Sequence, residues 1–260
     1  MRVINLASGS KGNITYIEGQ DKKIILDVGL SCQETIKRLE KCGVSPNEID
    51  AIIITHEHSD HIKGLDIFSS RYNIPVYAHQ KVWQGLEHKL AKVRIENRKL
   101  FEEIFTIGSL SITPIEIPHD VSCYGFSFQE NDNKISILTD LGHTNDRILN
   151  AIRGSKLVYL EANYDRQMLM SGTKYPFSLK RRIDGPNGHL SNLASSEVIE
   201  FLCQTGTKQI VLSHLSEENN SPLLAYTFIT KELAKRGIIE GKDIKIDVAT
   251  QNIGAFFRLK

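Results

Sequence analysis

The sequence predicts an α/β fold, because short apolar runs alternate along the chain with stretches that carry apolar residues at helical spacing. The run Ala51–Thr55 is typical of a buried strand, and Gln33–Cys42 has the periodicity of a helix. Side chains of the metal-binding types recur directly after predicted strand ends, where open α/β sheets place their ligands. No low-complexity linker divides the chain, so we expect a single domain over residues 1–260.

Charge and cysteine content narrow the class of protein. Lys and Arg number 32 against 31 for Asp and Glu, so no overall charge indicates nucleic acid, although a local basic patch is left open. No early segment has the pattern of a signal peptide, and no apolar run is long enough to span a bilayer, so we expect no membrane partner. The four scattered cysteines predict reduced thiols and a cytoplasmic location. The oligomeric state is left open.

The first half of the chain opens with strands over Arg2–Ala7, Ile14–Glu18 and Lys23–Asp27. The polar loop between the first two can present backbone N–H groups and a lysine to an anion, so its Ser8, Ser10 and Lys11 are candidate substrate-binding residues. The alternative is an ordinary hairpin turn. The elements expected next are the helix Gln33–Cys42, the strand Ala51–Thr55, a helix from Ile62 to about Tyr72, the strand Ile74–Ala78 and the helix Gln80–Val93.

The second half repeats this layout of strands followed by helices. One segment, Tyr164–Leu190, has no clean period, and a long irregular stretch of this kind is often a functional loop or lid. Its Lys180, Arg181 and Arg182 are candidates for holding a nucleic-acid backbone, with a solvated turn as the alternative. The other expected elements are strands over Leu110–Ile117, Tyr124–Gln129, Lys134–Thr139, Lys156–Leu160, Gln209–Ser213, Ile244–Val248 and Ala255–Leu259, and helices over Asn145–Ile152, Leu193–Cys203 and Pro222–Arg236.

The strongest functional signal is the string His56-Glu57-His58-Ser59-Asp60-His61, which follows an apolar strand. Neutral imidazole and carboxylate are the groups that bind zinc and similar divalent ions. His56 and His58, two residues apart on an extended loop, can share one metal. Asp60 and His61 can then reach a second metal, so the string supplies about half of a two-metal site.

The other ligands must come from distant strand ends, where His119, Asp140 and His214 are available. Asp140 has two carboxylate oxygens and can bridge both ions, which would hold a water whose pKa is drawn toward neutrality. A lone histidine at a strand end is often structural, so His119 and His214 are candidate ligands only because the string His56–His61 is also present. Asp27, at another strand end, is expected to orient the metal ligands without binding the metal itself.

Together these residues resemble the metallo-β-lactamase-fold hydrolases. The spacing His56-x-His58-x-Asp60-His61 looks like their signature, and Asp27-Val28-Gly29 is similar to the aspartate at the end of their upstream strand. The strings Ser8–Asn13 and Ser213–Asn220 resemble the YycJ/WalJ group, which is associated with DNA exonuclease activity. The resemblance implies a four-layer αβ/βα sandwich in which two mixed sheets are flanked by helices.

Two further strings resemble the phosphodiesterase branch of this superfamily. Gly188-His189-Leu190-Ser191 is similar to that branch's Gly-His-Ser/Thr element, whose histidine can protonate the leaving oxygen. Glu161-Ala162-Asn163 resembles its Glu-Ala-Thr element, but Leu160 stands where tRNase Z has a histidine. The interval from Asp140 to His214 is too short for the inserted cap of the β-CASP nucleases.

These observations predict a phosphodiesterase with two divalent ions, Zn²⁺ or Mn²⁺, in which a metal-bridged hydroxide attacks the phosphodiester. Asp60 would hold one metal and accept the nucleophile's proton, and His189 would act as general acid. By resemblance the substrate is duplex DNA, degraded as an exonuclease from 5′ to 3′. The alternatives are a phosphodiesterase of cyclic or aryl phosphates, a hydrolase of lactams or thioesters, and a non-enzymatic protein with a structural metal.

Overall fold

The computed structural model describes residues 1–254 and 256–259, and these pack into two compact units. The first unit comprises Met1–Pro114 and Gln251–Lys260, and the second comprises Ile115–Thr250. The single domain over 1–260 stays a prediction. The strands are β1 (Arg2–Ala7), β2 (Ile14–Glu18), β3 (Lys23–Leu26), β4 (Ala51–Ile53), β5 (Val76–His79), β6 (Arg98–Phe101), β7 (Phe105–Ile107), β8 (Leu110–Ile117), β9 (Cys123–Glu130), β10 (Asn133–Leu138), β11 (Leu157–Glu161), β12 (Gln209–Ser213), β13 (Lys245–Val248) and β14 (Phe256–Arg258).

The helices begin where capping side chains satisfy the first backbone N–H groups. Ser31, Ser191 and Ser221 each accept a backbone N–H three residues ahead. The helices are α1 (Cys32–Lys41), α2 (Ser59–Ile62), α3 (Leu65–Tyr72), α4 (Gln80–Leu86), α5 (Asp146–Ile152), α6 (Arg166–Ser171), α7 (Phe177–Ile183), α8 (Asn192–Gln204) and α9 (Pro222–Lys235). In the part of the chain that the structure describes, no helix has the length and apolar character needed to cross a membrane.

The strands form two mixed sheets flanked by helices, which confirms the predicted fold class. The first has the order β14-β1-β2-β3-β4-β5-β6, and the second has the order β13-β12-β11-β10-β9-β8-β7. In the second unit, Leu160 and Leu212 from the sheet and Ile199 and Ile229 from α8 and α9 are fully buried in one apolar core. Burial of such side chains is the main force that holds helices on a sheet.

Parallel neighbours within each sheet bring their carboxyl ends to a common edge. In the first sheet β3, β4, β5 and β6 are parallel, so Asp27 after β3 lies beside the chain that leaves β4 toward His56. In the second sheet β10, β11, β12 and β13 are parallel, so Asp140, Glu161 and His214 meet at one edge. This is the edge at which open α/β sheets bind ligands.

Several expected elements differ from those observed. Strands β6 and β7 were not expected, because β6 is an edge strand whose Leu100 is exposed and it lacks an alternating pattern. The one helix expected from Ile62 to about Tyr72 is two helices, α2 and α3, with Lys63 and Gly64 between them. The helix expected over Gln80–Val93 ends at Leu86. The segment Tyr164–Leu190 is not irregular throughout, since it contains α6 and α7. Of the last expected strand, Ala255 lies outside the described residues.

Candidate metal centre

In the first unit, Asp27 and Thr55 determine which nitrogen of two histidines carries the proton. The Oδ2 atom of Asp27 accepts the Nδ1–H of His61 at 2.7 Å. The Thr55 hydroxyl donates its one proton to the same carboxylate at 2.9 Å, so its oxygen accepts the Nδ1–H of His56, also at 2.9 Å. Both rings therefore keep the Nε2 lone pair for another partner, which is the form that binds a metal ion. Burial raises the pKa of Asp27, and the bonds from His61 and Thr55 oppose that rise.

Backbone contacts hold Asp60 and His61, which both belong to the short helix α2, in place. The Asp60 carbonyl accepts the N–H of Asn13 at 2.8 Å, and the His61 carbonyl accepts the N–H of Val28 at 2.8 Å. The chain comes so close to Asp60 that a Cβ at Gly29 would lie 1.7 Å from the Asp60 carbonyl oxygen, so only glycine fits there. The Asn13 amide nitrogen lies 3.3 Å from Asp60 Oδ2 and 3.1 Å from His61 Nε2.

The three imidazoles of the string are packed against one another. The ring of His56 lies 4.6 Å from that of His58 and 4.1 Å from that of His61, measured between centroids. Three protonated rings at this spacing would repel strongly, since two of them are fully buried. The Asp60 carboxylate lies 3.5 Å from His61 Nε2 and adds a negative charge. Neutral imidazoles beside a carboxylate form a donor set that fits a divalent cation.

Strained backbone at strand ends positions the key side chains of both units. Asp140 and His214 in the second unit have φ of 58° and 54°, and Asp27 in the first unit has φ of 60°. Aspartate and histidine are among the residues that adopt this left-handed region most readily after glycine. Such a conformation costs on the order of 1–3 kcal/mol and is concentrated at functional sites. It turns the chain sharply, so the side chain lies at the edge of the sheet.

Glu161 is the hub of the second unit's cluster. Its Oε1 accepts the Nδ1–H of His214 at 2.7 Å and that of His189 at 2.9 Å. Its Oε2 accepts the backbone N–H of Leu141 at 2.7 Å and of Leu190 at 3.1 Å. Burial raises the pKa of Glu161, but the two histidines outweigh this and hold it below its usual value. Burial lowers the pKa of His189, but the Glu161 and Asp140 charges outweigh this and raise it above its usual value.

Asp140 lies at the centre of three imidazoles within the second unit. Its Oδ1 is 3.6 Å from His214 Nε2, 3.9 Å from His119 Nε2 and 4.0 Å from His189 Nδ1. These distances are too long for hydrogen bonds. The two shorter ones approach the spacing of two atoms that each lie about 2.0–2.2 Å from a shared zinc ion. Asp140, Glu161, His189 and His214 bring ligand-type atoms within 4.8 Å of one another. Because Glu161 accepts the Nδ1–H of both rings, Asp140 Oδ1 and His214 Nε2 are the atoms of this set best suited to a metal ion.

His119 faces a carboxylate that the sequence pattern did not single out. Its Nδ1 lies 3.3 Å from the carbonyl oxygen of Gly188, which can only accept a proton. Its Nε2 lies 3.1 Å from Oδ1 of Asp120, so a neutral ring would place a lone pair against a carboxylate. A cation relieves that repulsion, which again fits a metal centre. The other Asp120 oxygen lies 3.2 Å from the guanidinium of Arg182.

A profile of the beta-lactamase superfamily domain matches residues 22–215 of the sequence, which is more than half of the chain. The chain belongs to this superfamily. Within it, the sequence is 34% identical over 244 residues to the exodeoxyribonuclease YycJ of Bacillus anthracis, covering 93% of this chain and 92% of that protein. It is 37% identical over 246 residues to the exodeoxyribonuclease WalJ of Streptococcus pneumoniae, covering 93% of this chain and 91% of that protein. The resemblance to the YycJ/WalJ group is thereby confirmed.

A solved structure of the superfamily supports the same fold. The metallo-β-lactamase fold protein YhfI of Bacillus subtilis aligns with a TM-score of 0.73 over 98% of each chain, at 15% sequence identity. At that identity the likeness establishes the fold alone. It agrees with the two mixed sheets flanked by helices described above.

The candidate substrate-binding residues differ in how far they are exposed to solvent. Ser8 is buried, whereas Ser10 and Lys11 are exposed on the loop that Asn13 closes. Arg181 and Arg182 are exposed on α7. Lys180, in contrast, is buried: its ammonium group donates to the carbonyl of Met170 at 2.8 Å and to that of Gly172. Because the ammonium group of Lys180 is bound to carbonyls at the end of α6 and is turned away from solvent, this side chain is poorly placed to hold a nucleic-acid backbone.

Besides Asp120, sequence reasoning left three polar residues out of the candidate site. Glu161 was noticed only as part of a string that resembles a family element, yet it orients two histidines. Its signal was a carboxylate directly after four apolar strand residues, a position with no other reason to carry a buried charge. Thr55 and Asn13 gave no comparable signal, because a threonine at a strand end and an asparagine in a turn are ordinary.

Proposed function

We propose that this protein is a metal-dependent exodeoxyribonuclease that degrades duplex DNA from a 5′ end. The observation that carries the proposal is the identity of 34% and 37%, over 93% of the chain, to proteins named exodeoxyribonucleases. Two sets of imidazole and carboxylate side chains at the edges of the two sheets supply suitable chemistry. Because all four cysteines are free thiols, we also propose a cytoplasmic location.

We propose that two divalent ions, Zn²⁺ or Mn²⁺, bind to seven side chains. They are His56, His58, Asp60, His61, His119, Asp140 and His214. When bound, the ions would neutralise the phosphoryl oxygens and supply hydroxide near neutral pH. The imidazole and carboxylate donors suit both metals. Asp27, Thr55 and Glu161 keep the ligating rings in the required tautomer, and Asp60 is the proposed acceptor of the nucleophile's proton.

His189 is the proposed general acid toward the leaving alkoxide. Its Nδ1–H is held by Glu161, so a proton on Nε2 is the one that it can transfer. The side chain is 22% exposed, which leaves a path for a substrate to reach it. The raised pKa of this ring is consistent with a proton donor, but the assignment depends on its geometry.

The His189→Ala variant should lose turnover of DNA by about 10²–10⁴-fold, the usual contribution of a general acid. Its metal content, measured by inductively coupled plasma mass spectrometry after dialysis, should equal that of the wild type. The His88→Ala variant is the matched control, because His88 is exposed on a turn after α4. If the metal content falls together with turnover, then His189 is a ligand and its role as an acid is wrong.

Exposed cations beside His119 are the proposed contacts to the DNA backbone. Arg182 pairs with Asp120, which directly follows His119 in the sequence. Arg181 directly precedes Arg182. Both side chains belong to the second unit and face solvent, so a phosphate can replace the Asp120 carboxylate as the partner of Arg182. Such an exposed ion pair contributes only about 0–1 kcal/mol and exchanges readily.

The Arg181→Gln/Arg182→Gln double variant should bind duplex DNA with a weaker dependence on salt. The slope of log K against log salt should become shallower by roughly 2, because each phosphate contact releases about 0.9 of a counterion. Fluorescence anisotropy across a salt series measures this slope. The Lys180→Met variant is the matched control, because its ammonium is bound to two carbonyls: it should lose thermal stability and keep the wild-type slope. If the double variant keeps the wild-type slope, or if Lys180→Met changes the slope as much as the double variant does, the assignment is refuted.

One assay separates this function from its rivals. Metal-reconstituted protein is incubated with end-labelled duplex DNA, with and without a 5′ phosphate, and with a bis-aryl phosphate. Shortening of the DNA from one end supports the proposal. Hydrolysis of the aryl ester without loss of DNA would instead identify a phosphodiesterase of small molecules.

A further inference from the structure

The side chain of Gln251 fastens the turn between β1 and β2, and the proposed mechanism does not use it. Gln251 begins the C-terminal segment of the first unit. Its Oε1 accepts the backbone N–H of Lys11 at 3.1 Å, and its Nε2 donates to the carbonyl of Gly12 at 2.8 Å. These partners lie 240 and 239 residues earlier in the chain. The amide therefore closes the turn with a matched donor and acceptor.

The backbone of Gln251 is itself held in place by a largely buried arginine. The guanidinium of Arg38 donates to the Gln251 carbonyl at 2.7 Å and to the Leu6 carbonyl at 2.6 Å. Its Nε donates to Glu34 at 2.8 Å, and the arginine side chain is 12% exposed. Leu6 belongs to β1, the strand that leads into the turn. Because this backbone is already fixed, the Gln251 side chain can restrict the turn without first ordering a loose segment.

The turn in its turn fixes the side chain of Asn13. The Asn13 Oδ1 accepts the N–H of Gly9 at 2.9 Å, and its Nδ2 donates to the Gly9 carbonyl at 3.1 Å. The same carbonyl accepts the N–H of Gly12, so the turn that Gln251 closes is the one that holds Asn13. The second N–H of the Asn13 amide is left to face Asp60 and His61, whose Oδ2 and Nε2 lie 3.3 Å and 3.1 Å from Nδ2.

The backbone of this turn is occupied by contacts within the protein. The N–H groups of Gly9, Lys11, Gly12 and Asn13 all bind acceptors in the first unit. A Cβ at Gly12 would lie 2.7 Å from the Gly29 carbonyl oxygen, so the turn also packs closely on the chain that follows β3. The turn is therefore built to hold Asn13 rather than to bind an anion through these N–H groups.

We propose that Gln251 is a positioning residue for the metal-binding string. It holds the turn that places Asn13 against Asp60 and His61, and so it sets the geometry of two proposed ligands from the far end of the sequence. The inference rests on the proposed metal centre and adds a residue that acts on it through another side chain. If the two bonds only stabilise the turn, Asn13 keeps its place without them.

Hydrogen exchange in the metal-free protein tests the first step. The Asn13 backbone N–H donates to the Asp60 carbonyl at 2.8 Å, so its exchange rate, measured by NMR, reports whether the turn stays on α2. Gln251→Ala removes two hydrogen bonds and should speed this exchange about tenfold or more. Gln129→Ala is the matched control, because it removes a glutamine bond to the Asn131 carbonyl near the β9–β10 turn. The control should keep the wild-type rate at Asn13.

Metal affinity tests the second step, by competition for Zn²⁺ with a fluorescent chelator. Gln251→Ala should weaken Zn²⁺ binding by about tenfold, the lower end of the usual effect of residues that orient ligands. Asn13→Ala should weaken it at least as much. The Asn13→Ala/Gln251→Ala double variant should bind Zn²⁺ no more weakly than Asn13→Ala alone, because Gln251 acts through Asn13.

Each result decides the inference. An unchanged exchange rate at Asn13 in Gln251→Ala overturns it, and so does faster exchange with unchanged affinity for Zn²⁺. Losses of affinity that add in the double variant show that Gln251 acts by another route, which also overturns it. If Asn13→Ala does not fold, the exchange rate and the affinity of Gln251→Ala decide. If the wild type binds no Zn²⁺ or Mn²⁺, the proposed function fails, and exchange at Asn13 alone decides whether Gln251 positions that residue.

Discussion

The Asp140→Asn variant should remain folded but lose most of its metal and at least about 10³-fold of its turnover, since metal stabilisation of charge amounts to several kcal/mol. The Asp140 carboxylate is buried, and its Oδ1 lies within 3.6–4.0 Å of nitrogen atoms in three imidazoles. Asparagine has the same shape and accepts the φ of 58°, so the change removes the negative charge and turns one ligand oxygen into an NH₂ group without altering the backbone. Metal content after equilibrium dialysis and turnover of end-labelled DNA measure the two losses.

Two further variants separate charge from backbone strain at this position. Asp140→Ala removes the charge and also places alanine in the left-handed region, which costs roughly 1–2 kcal/mol. Its melting temperature should therefore lie below that of Asp140→Asn. Asp132→Asn removes an exposed carboxylate from the turn between β9 and β10 and should change neither metal nor turnover. Full metal content in Asp140→Asn would remove Asp140 from the ligand set.

The Glu161→Gln variant should have a free energy of unfolding lower by about 3–5 kcal/mol, the usual effect of breaking a buried charged network. Glu161 accepts four hydrogen bonds with two oxygens, and glutamine has one oxygen. Its NH₂ group would face either the two histidines or the two backbone N–H groups. Metal affinity should also fall about 10–100-fold, because His214 loses the partner that orients it.

Urea unfolding in the presence of a chelator isolates the structural part of this effect from the metal. Competition with a fluorescent chelator measures the change in metal affinity. Glu200→Gln is the matched control, because it breaks a partly exposed ion pair with Arg236 and should change stability by no more than about 1 kcal/mol. If Glu161→Gln unfolds at the same urea concentration as the wild type, Glu161 is not the hub that its contacts indicate.

Local pattern was enough to locate the central strands and the longer helices. Strands β2 and β12 have the bounds that their apolar runs predicted, and β8 has the bounds that its alternating pattern predicted, because residues that face the core are mostly apolar. The edge strand β6 was missed since it is exposed and has no such pattern. The helices α6 and α7 were missed because each is only six or seven residues long and shows little periodicity.

The role of individual polar residues depended on contacts that no local pattern contains. Arg181 and Lys180 are neighbours in the sequence and equally basic, yet one is exposed and the other binds two carbonyls at the end of α6. Asp120 follows His119 directly, but only the fold shows that it lies between that ring and Arg182.

The sequence by itself determined the superfamily, the strand ends and the set of candidate ligands, because each of these depends on residue type and short spacing. The tertiary structure alone decided which nitrogen each histidine presents. Glu161 lies 28 residues before His189 and 53 before His214. It meets His214 because the parallel strands β11 and β12 end at one edge, and it meets His189 because the segment before α8 returns to that edge, where Leu190 bonds to Asn163 and to Glu161. A hydrogen bond depends on distance and direction in space, and those are set by the packing of the whole sheet.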